Sequence, residues 1–417
     1  MNRRRKFERT ALKRLLFSLV ILLLVRIGTF LPIPEVNHND IAFYIQRHSS
    51  VKNLVSTFSS SETFVIGLFS LNIFPYINAT IIVQLLVSFS DKLANLQKDG
   101  DFAGRREISK LTRKITLFLT VVQSIAVTLY LKQILFDWNY LLAVKIILWL
   151  TTGAMIVLWF SEMITESGLG NGTSLLIYTN IVSNLPNLIK KTIFISNKTS
   201  LLPIFVNGLG ISVLIILSLY GIVFLQQGVR KLPLISGKKL VGSSLQRTAR
   251  NTLYLPLRFN QAGVMPIILT TGLLGIPNYI VNSGLFPELA FLTSFKPIYW
   301  VSYFALVVIS SSFYSRVVLK PKDLSDQLRK MTVVLPKIRP GRQTTFYLKR
   351  VITRLTVIGA IFLAILTVIP NFIESTLNIS GLNGLSTTSL LILAGVILDL
   401  SRELDNIYYS NIYNKRS

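Results

Sequence analysis

Apolar positions in this chain gather into long blocks separated by basic or hydroxyl-rich segments. Ten blocks, near residues 15–33, 64–90, 115–131, 141–160, 173–187, 201–225, 259–281, 297–315, 351–373 and 386–401, approach the about 17 to 25 residues that a bilayer demands of a helix. The pattern predicts an all-α polytopic membrane protein with ten transmembrane helices. The second block is cut at Pro75. A proline at membrane depth frees a backbone carbonyl, which is tolerated where protein or a water-filled cavity surrounds it. This block therefore predicts a helix facing a cavity, with the polar run Ser59-Ser60-Ser61-Glu62 standing in a wet vestibule just ahead of it. The fifth block, carrying Thr173, Ser174, Asn180, Ser183, Asn184 and Pro186, is nearly as polar as a soluble helix. A span of that kind is buried among other helices or faces water.

Charge adds the orientation. The chain is 51% hydrophobic yet carries a formal net charge of +26. Its first fourteen residues are dense in Lys and Arg, and the long apolar run behind them, without a small-residue cleavage site, predicts a first span and not a removable signal. With the N-terminus inside, the predicted inner segments hold 34 of the 44 Lys and Arg residues, the outer loops 7 and the spans 3 (Arg26, Lys145 and Arg354). That asymmetry predicts both termini on the inner side. Five spans on either side of a basic outer linker at 188–200 give the halves 1–187 and 201–417 opposite orientations, the arithmetic of an inverted repeat. Two inner loops, 226–258 with Arg247 and Arg250 and 316–350 with Arg339, are long and basic. They fit anchoring on anionic lipid, and they equally fit docking of a ribosome or an acidic protein.

Little points to catalysis. There is no cysteine, which excludes disulfides, thiolate chemistry and cysteine-ligated zinc. The only histidines, His38 and His48, share the first outer loop, so neither a zinc HExxH site nor an intramembrane Ser-His dyad can form. No phosphate-binding Walker loop is present. Gly168-Leu-Gly-Asn-Gly172 echoes a nucleotide loop but follows a membrane span, and it predicts a turn that lets the fifth helix start deep in the bundle. Arg26 and Arg354 have no acidic partner at membrane depth, since Glu162, Glu166, Glu374 and Asp399 fall near span ends. Structural roles are favoured for both arginines. No enzyme activity, cofactor or metal is expected, and one reading of an inverted repeat is a secondary transporter.

Several stretches, in order along the chain, resemble the SecY family, the channel subunit of the Sec protein translocase. Val25-Arg-Ile-Gly-Thr-Phe-Leu-Pro-Ile-Pro34 is similar to the family's YRIGSFIPIP, and Ile73-Phe-Pro-Tyr-Ile-Asn-Ala-Thr-Ile-Ile-Val-Gln-Leu-Leu86 to its IMPYISASIIIQLL. Gly104–Ser109 resembles GRRKIS, Ile164–Gly172 resembles ITExGIGNG, Pro256–Pro266 resembles PLKVNMAGVIP, and Ile338–Gly341 matches IRPG; Thr353–Thr356 and Thr388–Ile392 complete the series.

The resemblance implies two inverted five-helix halves around an hourglass pore with a lateral gate to lipid. It implies a plug at about 53–72 and a constriction ring of Ile73, Ile77, Thr173, Ile177, Ile268 and Ile392. A collar of branched apolar side chains resists wetting, yet yields around a passing polypeptide. Thr173 stands where the family usually has an aliphatic residue, and its hydroxyl is expected to wet the collar slightly. The plug is poor in glycine, and Asn72 stands where glycine is common. The resemblance also implies gate contacts at Gln84, Gln123 and Asn260, and motor or ribosome docking at Arg247, Arg250 and Arg339. Implied partners are SecE-like and SecG-like small membrane subunits, the SecA motor, the ribosome with signal-recognition delivery, unfolded preproteins and membrane lipid. Abundant Ile, Asn and Lys in a short chain suggest a plastid-encoded protein of the thylakoid membrane with stromal termini; a bacterial plasma membrane is the alternative.

Overall fold

The computed structural model describes residues 2–34, 36, 67–90, 93, 96, 102–132, 138–183, 213, 216–236, 253–260, 263, 265–267, 269–270, 296–336, 338–377 and 387–413. Its chain folds as two units, Met1–Phe194 with Val396–Ser417, and Ile195–Gly395.

In the first unit, α1 (Asn2–Phe30) runs from the basic N-terminal segment through the first apolar block, and α2 (Phe74–Phe89) forms the second. α3 (Phe102–Leu131) and α4 (Tyr140–Ser167) follow, and a fifth helix, α5, covers 172–183. Pro75 does not interrupt a helix. It sits in the first turn of α2, where its missing N–H would have had no partner in any case, and residues 67–73 form a turn ahead of it. The expectation of a proline-cut helix over 64–90 is corrected accordingly, and residues 64–66 lie outside the described ones. α2 is 16 residues, about 24 Å of helix, too short to cross an apolar core alone.

α3 shows how a polar stripe is buried. Thr112, Thr116, Thr120, Ser124 and Thr128 recur every fourth residue, are all buried, and each hydroxyl donates to the carbonyl four residues earlier at 2.7 to 2.9 Å. Small, self-satisfied side chains let neighbouring helices approach without an unpaired polar group. One bond crosses to α4, between the Ser124 and Thr151 hydroxyls at 3.2 Å. On α4 the exposed Tyr140 and Trp159 stand nineteen residues apart, about 28 Å along the axis, the spacing of the two aromatic belts of a bilayer. Ile33, Leu71, Leu131, Ile146 and Leu150 form the buried core beside these helices.

The second unit contains α6 (Ile216–Gln227), α7 (Lys296–Val318), α8 (Pro321–Lys330), α9 (Arg342–Leu377) and the start of α10 (Thr387–Tyr413). Of the predicted seventh span, residues 259, 260, 263, 265–267 and 269–270 are described, the last two stretches as helix. Among the described residues, α3, α4, α7 with the segment after it, and α9 are long and apolar enough to cross a membrane; α2 and α6 are shorter apolar helices. The chain is an α-helical polytopic membrane protein.

The two basic segments predicted as inner loops contain regular structure among their described residues. β1 (Val229–Ser236) pairs antiparallel with β2 (Leu253–Arg258), and β3 (Val333–Val334) from the other loop adds to the far edge of β1, giving the order β2-β1-β3. Both prolines fit this ladder. Lys231↔Pro256 and Pro233↔Tyr254 are register pairs of the same parity. The interstrand bonds therefore run through the alternate pairs, which need no proline N–H. The adjoining bond, from Phe259 N to the Gly228 carbonyl at 3.0 Å, belongs to that alternate set.

Candidate functional site

Two places are described in most detail by the structure: the turn that starts α2, and the sheet with its supporting helices.

The turn at 67–73 is wedged between α1 and α4. Leu68 N donates to the Leu31 carbonyl at 2.9 Å, and Pro32 bridges to Gly67. Close approach requires glycine on both sides: a Cβ on Gly67 would strike the Thr29 carbonyl, and one on Gly153 of α4 the Leu68 carbonyl. The turn ends at Asn72, whose φ of +47° lies in the left-handed region. That geometry explains why glycine is at home here and why asparagine substitutes for it, since asparagine tolerates left-handed backbone and bonds locally. Asn72 Oδ1 accepts from Ile73 N at 2.8 Å, satisfying a donor at the mouth of α2. Ile73 and Ile77 follow one turn apart, 1% and 4% exposed, with Ile77 N donating to the Ile73 carbonyl at 3.1 Å.

The glycine-rich segment 168–172 is a turn, as expected. Gly170 takes φ +83°, and Leu169 N donates to Ser18 Oγ of α1 at 2.8 Å. Gly172 N donates to Thr165 Oγ1 at 2.9 Å as α5 begins. Thr173, the odd member of the expected ring, is half-buried and donates its hydroxyl proton to Asn171 Oδ1 at 2.7 Å. Its donor is thus committed within the turn. Ile177 is half-buried one turn further along α5, and Ile392 is half-buried on α10; Ile268 lies outside the described residues.

Arg113 of α3 donates from Nε to Glu162 Oε1 of α4 at 2.8 Å, tying the two helices together. Arg26 lies over the Phe30 ring at 4.7 Å, a packing role. Of the residues that the resemblance points to as gate contacts, Gln84 on α2 and Gln123 on α3 are half-buried, and Gln84 Oε1 has no hydrogen-bond partner among the described residues. In the second unit, Asn260 is buried and donates from Nδ2 to the Gly263 carbonyl at 2.9 Å.

The sheet is part of a platform with a core of its own. Leu232, Leu234 and Leu257 from the hairpin, Leu328 from α8, Val333 and Leu335 around β3, and Leu348, Val351, Ile352 and Leu355 from α9 are buried together. β1 begins two residues after α6 ends, and α8 begins three after α7, so the platform is joined to its helices with little slack. α9 enters both this core and the apolar core below it, through Leu363 and Ala364. A buried bond between the Ser315 and Thr356 hydroxyls, 2.7 Å, fastens α7 to α9 between the two. Outward, the platform shows Arg230, Lys231, Arg258, Lys322, Arg329 and Arg339, all exposed. Arg247 and Arg250 lie outside the described residues. Sequence reasoning missed the sheet, although the alternation of buried Leu232 and Leu234 with exposed Lys231, Pro233 and Ile235 is a strand signal.

The SecY family model matches residues 67–401. The chain is 55% identical over 413 residues to the protein translocase subunit SecY of Trieres chinensis, covering 96% of each. It is 40% identical over 409 residues to that of Guillardia theta, with 96% and 95% covered, and 36% identical over 411 residues to that of Synechococcus elongatus, with 96% and 93% covered. Among solved structures, a SecY channel described for its plug domain gives a TM-score of 0.62 at 18% identity, covering 96% of this chain and 93% of that one. Sec61 in a canine ribosome-channel complex gives 0.58 at 18% identity and the same coverage. At such identity the structural likeness bears on the fold alone, but the family match and the near-full-length relatives do not depend on it: the chain belongs to the SecY family.

Proposed function

We propose that the chain is the protein-conducting subunit of a translocase, passing unfolded polypeptides across the membrane and releasing signal sequences and membrane helices sideways into lipid. The observation that carries this is end-to-end similarity to a protein translocase subunit at 55% identity, with 96% of both chains covered. The relatives described above are translocase subunits and lend no support to the transporter alternative, and the acidic residues Glu162, Glu166, Glu374 and Asp399 fall near span ends.

In this reading ten spans form inverted halves at 1–187 and 201–417, with a plug at about 53–72, most of which lies outside the described residues. Ile73, Ile77, Thr173, Ile177, Ile268 and Ile392 form the apolar ring. Burial of Ile73 and Ile77 on one face of α2 is what a dry collar asks of its members. Gln84, Gln123 and Asn260 serve the lateral gate, and Arg247, Arg250 and Arg339 receive a SecA motor or a ribosome. Sec61, a neighbour in fold, is described in a ribosome-channel complex, and the ribosome is proposed here on the exposed basic surface of the platform. SecE-like and SecG-like subunits complete the complex, which sits in a thylakoid membrane with both termini stromal; relatives from algae and cyanobacteria support that placement. Replacing Ile77 and Ile268 together with serine raises resting ion conductance in planar bilayers. Unchanged conductance overturns the ring.

A further inference from the structure

The turn that carries Arg339 is built from its own sequence. Pro340 confines the residue before it to extended backbone, and Gly341 takes φ +104°, where side chains are strained. Ile338 packs against the platform core and its N–H donates to the Leu335 carbonyl at 3.3 Å, while Arg339 stands exposed. Two buried hydroxyls hold this turn from either side. Thr344, 5% exposed in the first turn of α9, donates from Oγ1 to the Arg339 carbonyl at 2.9 Å. Ser325, 4% exposed on α8, donates from Oγ to the Gly341 carbonyl at 3.3 Å. The same carbonyl also accepts from Thr345 N at 3.1 Å and Thr345 Oγ1 at 3.2 Å. The two Thr345 contacts are the i→i−4 bonds that open α9; the bonds that tie the turn beyond them are Ser325 on the Gly341 carbonyl, from another helix, and Thr344 on the Arg339 carbonyl. α8 turns Leu328 into the platform core and its charged residues Lys322 and Arg329 to water; its buried hydroxyl, Ser325, is the one that reaches the turn.

We propose that Ser325 and Thr344 are positioning residues that hold the backbone of Arg339 rigid, so that its guanidinium meets an acidic face of the docking motor without having to be ordered at that moment. This rests on the reading of Arg339 as a docking residue. An immobile backbone lowers the entropic cost of association, and losing one clamp bond is expected to weaken docking about threefold to tenfold.

The test uses the full chain with its small subunits in proteoliposomes, with preprotein translocation measured against concentration of the SecA motor. Ser325→Ala and Thr344→Val should each raise the motor concentration for half-maximal rate about threefold to tenfold and leave the maximal rate unchanged. Thr344→Ser, which keeps the hydroxyl, should restore it. In an Arg339→Ala background Thr344→Val should add nothing. If Arg339→Ala is silent, the docking reading falls and the positioning role with it. If Arg339→Ala is impaired but the clamp variants behave as wild type, only the positioning role is overturned, as it is if Thr344→Val costs as much without Arg339. A second measurement is independent of transport. The chain has no cysteine, so Arg339→Cys takes a single nitroxide, whose spectrum should sharpen with Thr344→Val and not with Thr344→Ser; an unchanged spectrum in the Ser325→Ala/Thr344→Val double variant contradicts the clamp.

Discussion

Replacing Asn72 with alanine removes two things at once. The Ile73 N–H, bonded at 2.8 Å to a side-chain oxygen of a residue only 6% exposed, loses its partner, and an unsatisfied buried donor costs about 1–3 kcal/mol. Alanine must also hold φ +47°, and a left-handed residue other than glycine or asparagine costs about 1–2 kcal/mol. The sum is about 2–5 kcal/mol for Asn72→Ala. Asn72→Gly loses the same bond but removes the backbone strain, so it should be milder than alanine by about 1–2 kcal/mol. Pulse proteolysis of the detergent-purified protein across a urea series reads both changes in one assay. Because the residue sets the start of α2, the alanine variant should also leak ions at rest. Equal stability of the alanine and glycine variants within about 0.5 kcal/mol would refute the left-handed strain argument, and a wild-type alanine variant would refute the whole account of the turn.

Other consequences are direct. Leu348→Ala, at a fully buried position of the platform core, should cost about 2–5 kcal/mol and expose the 228–259 hairpin to limited proteolysis. Cleavage as slow as in wild type would mean that the loops fold independently of α9. Gln84→Leu removes a carboxamide whose oxygen is unpartnered among the described residues; it should leave the melting midpoint unchanged or raise it, and a clear fall would reveal an unseen partner. Gly153→Val places a side chain against the Leu68 carbonyl and should displace the 67–73 turn, read as increased protease access to the segment before α2; unchanged access would contradict the wedge.

The helices were legible because block length and basic flanks report directly on a bilayer. The second block was harder: hydropathy alone runs straight through Pro75, and only the positive φ at Asn72 separates a turn over 67–73 from a short helix behind it. The sheet was hidden for another reason. Pro233, Pro256 and the surrounding lysines and arginines lower strand propensity in β1 and β2, and β3 is two residues long and pairs with β1 about a hundred residues earlier in the chain. The clamp on Arg339 has the same origin, since Ser325 and Gly341 meet only once α8 has packed on α9. Pro340 and Gly341, by contrast, announce their turn locally.

The central claim, a channel for unfolded polypeptides, is tested most directly by reconstituting the chain with a SecE-like subunit in sealed vesicles, adding the SecA motor, ATP and a radiolabelled unfolded preprotein, and measuring the protease-protected fraction. The account predicts ATP-dependent protection with wild-type protein, and none when a disulfide-closed loop in the preprotein is too wide for the ring. Absence of protection with an active motor, or ion-coupled uptake of a small solute by the chain alone, would contradict it.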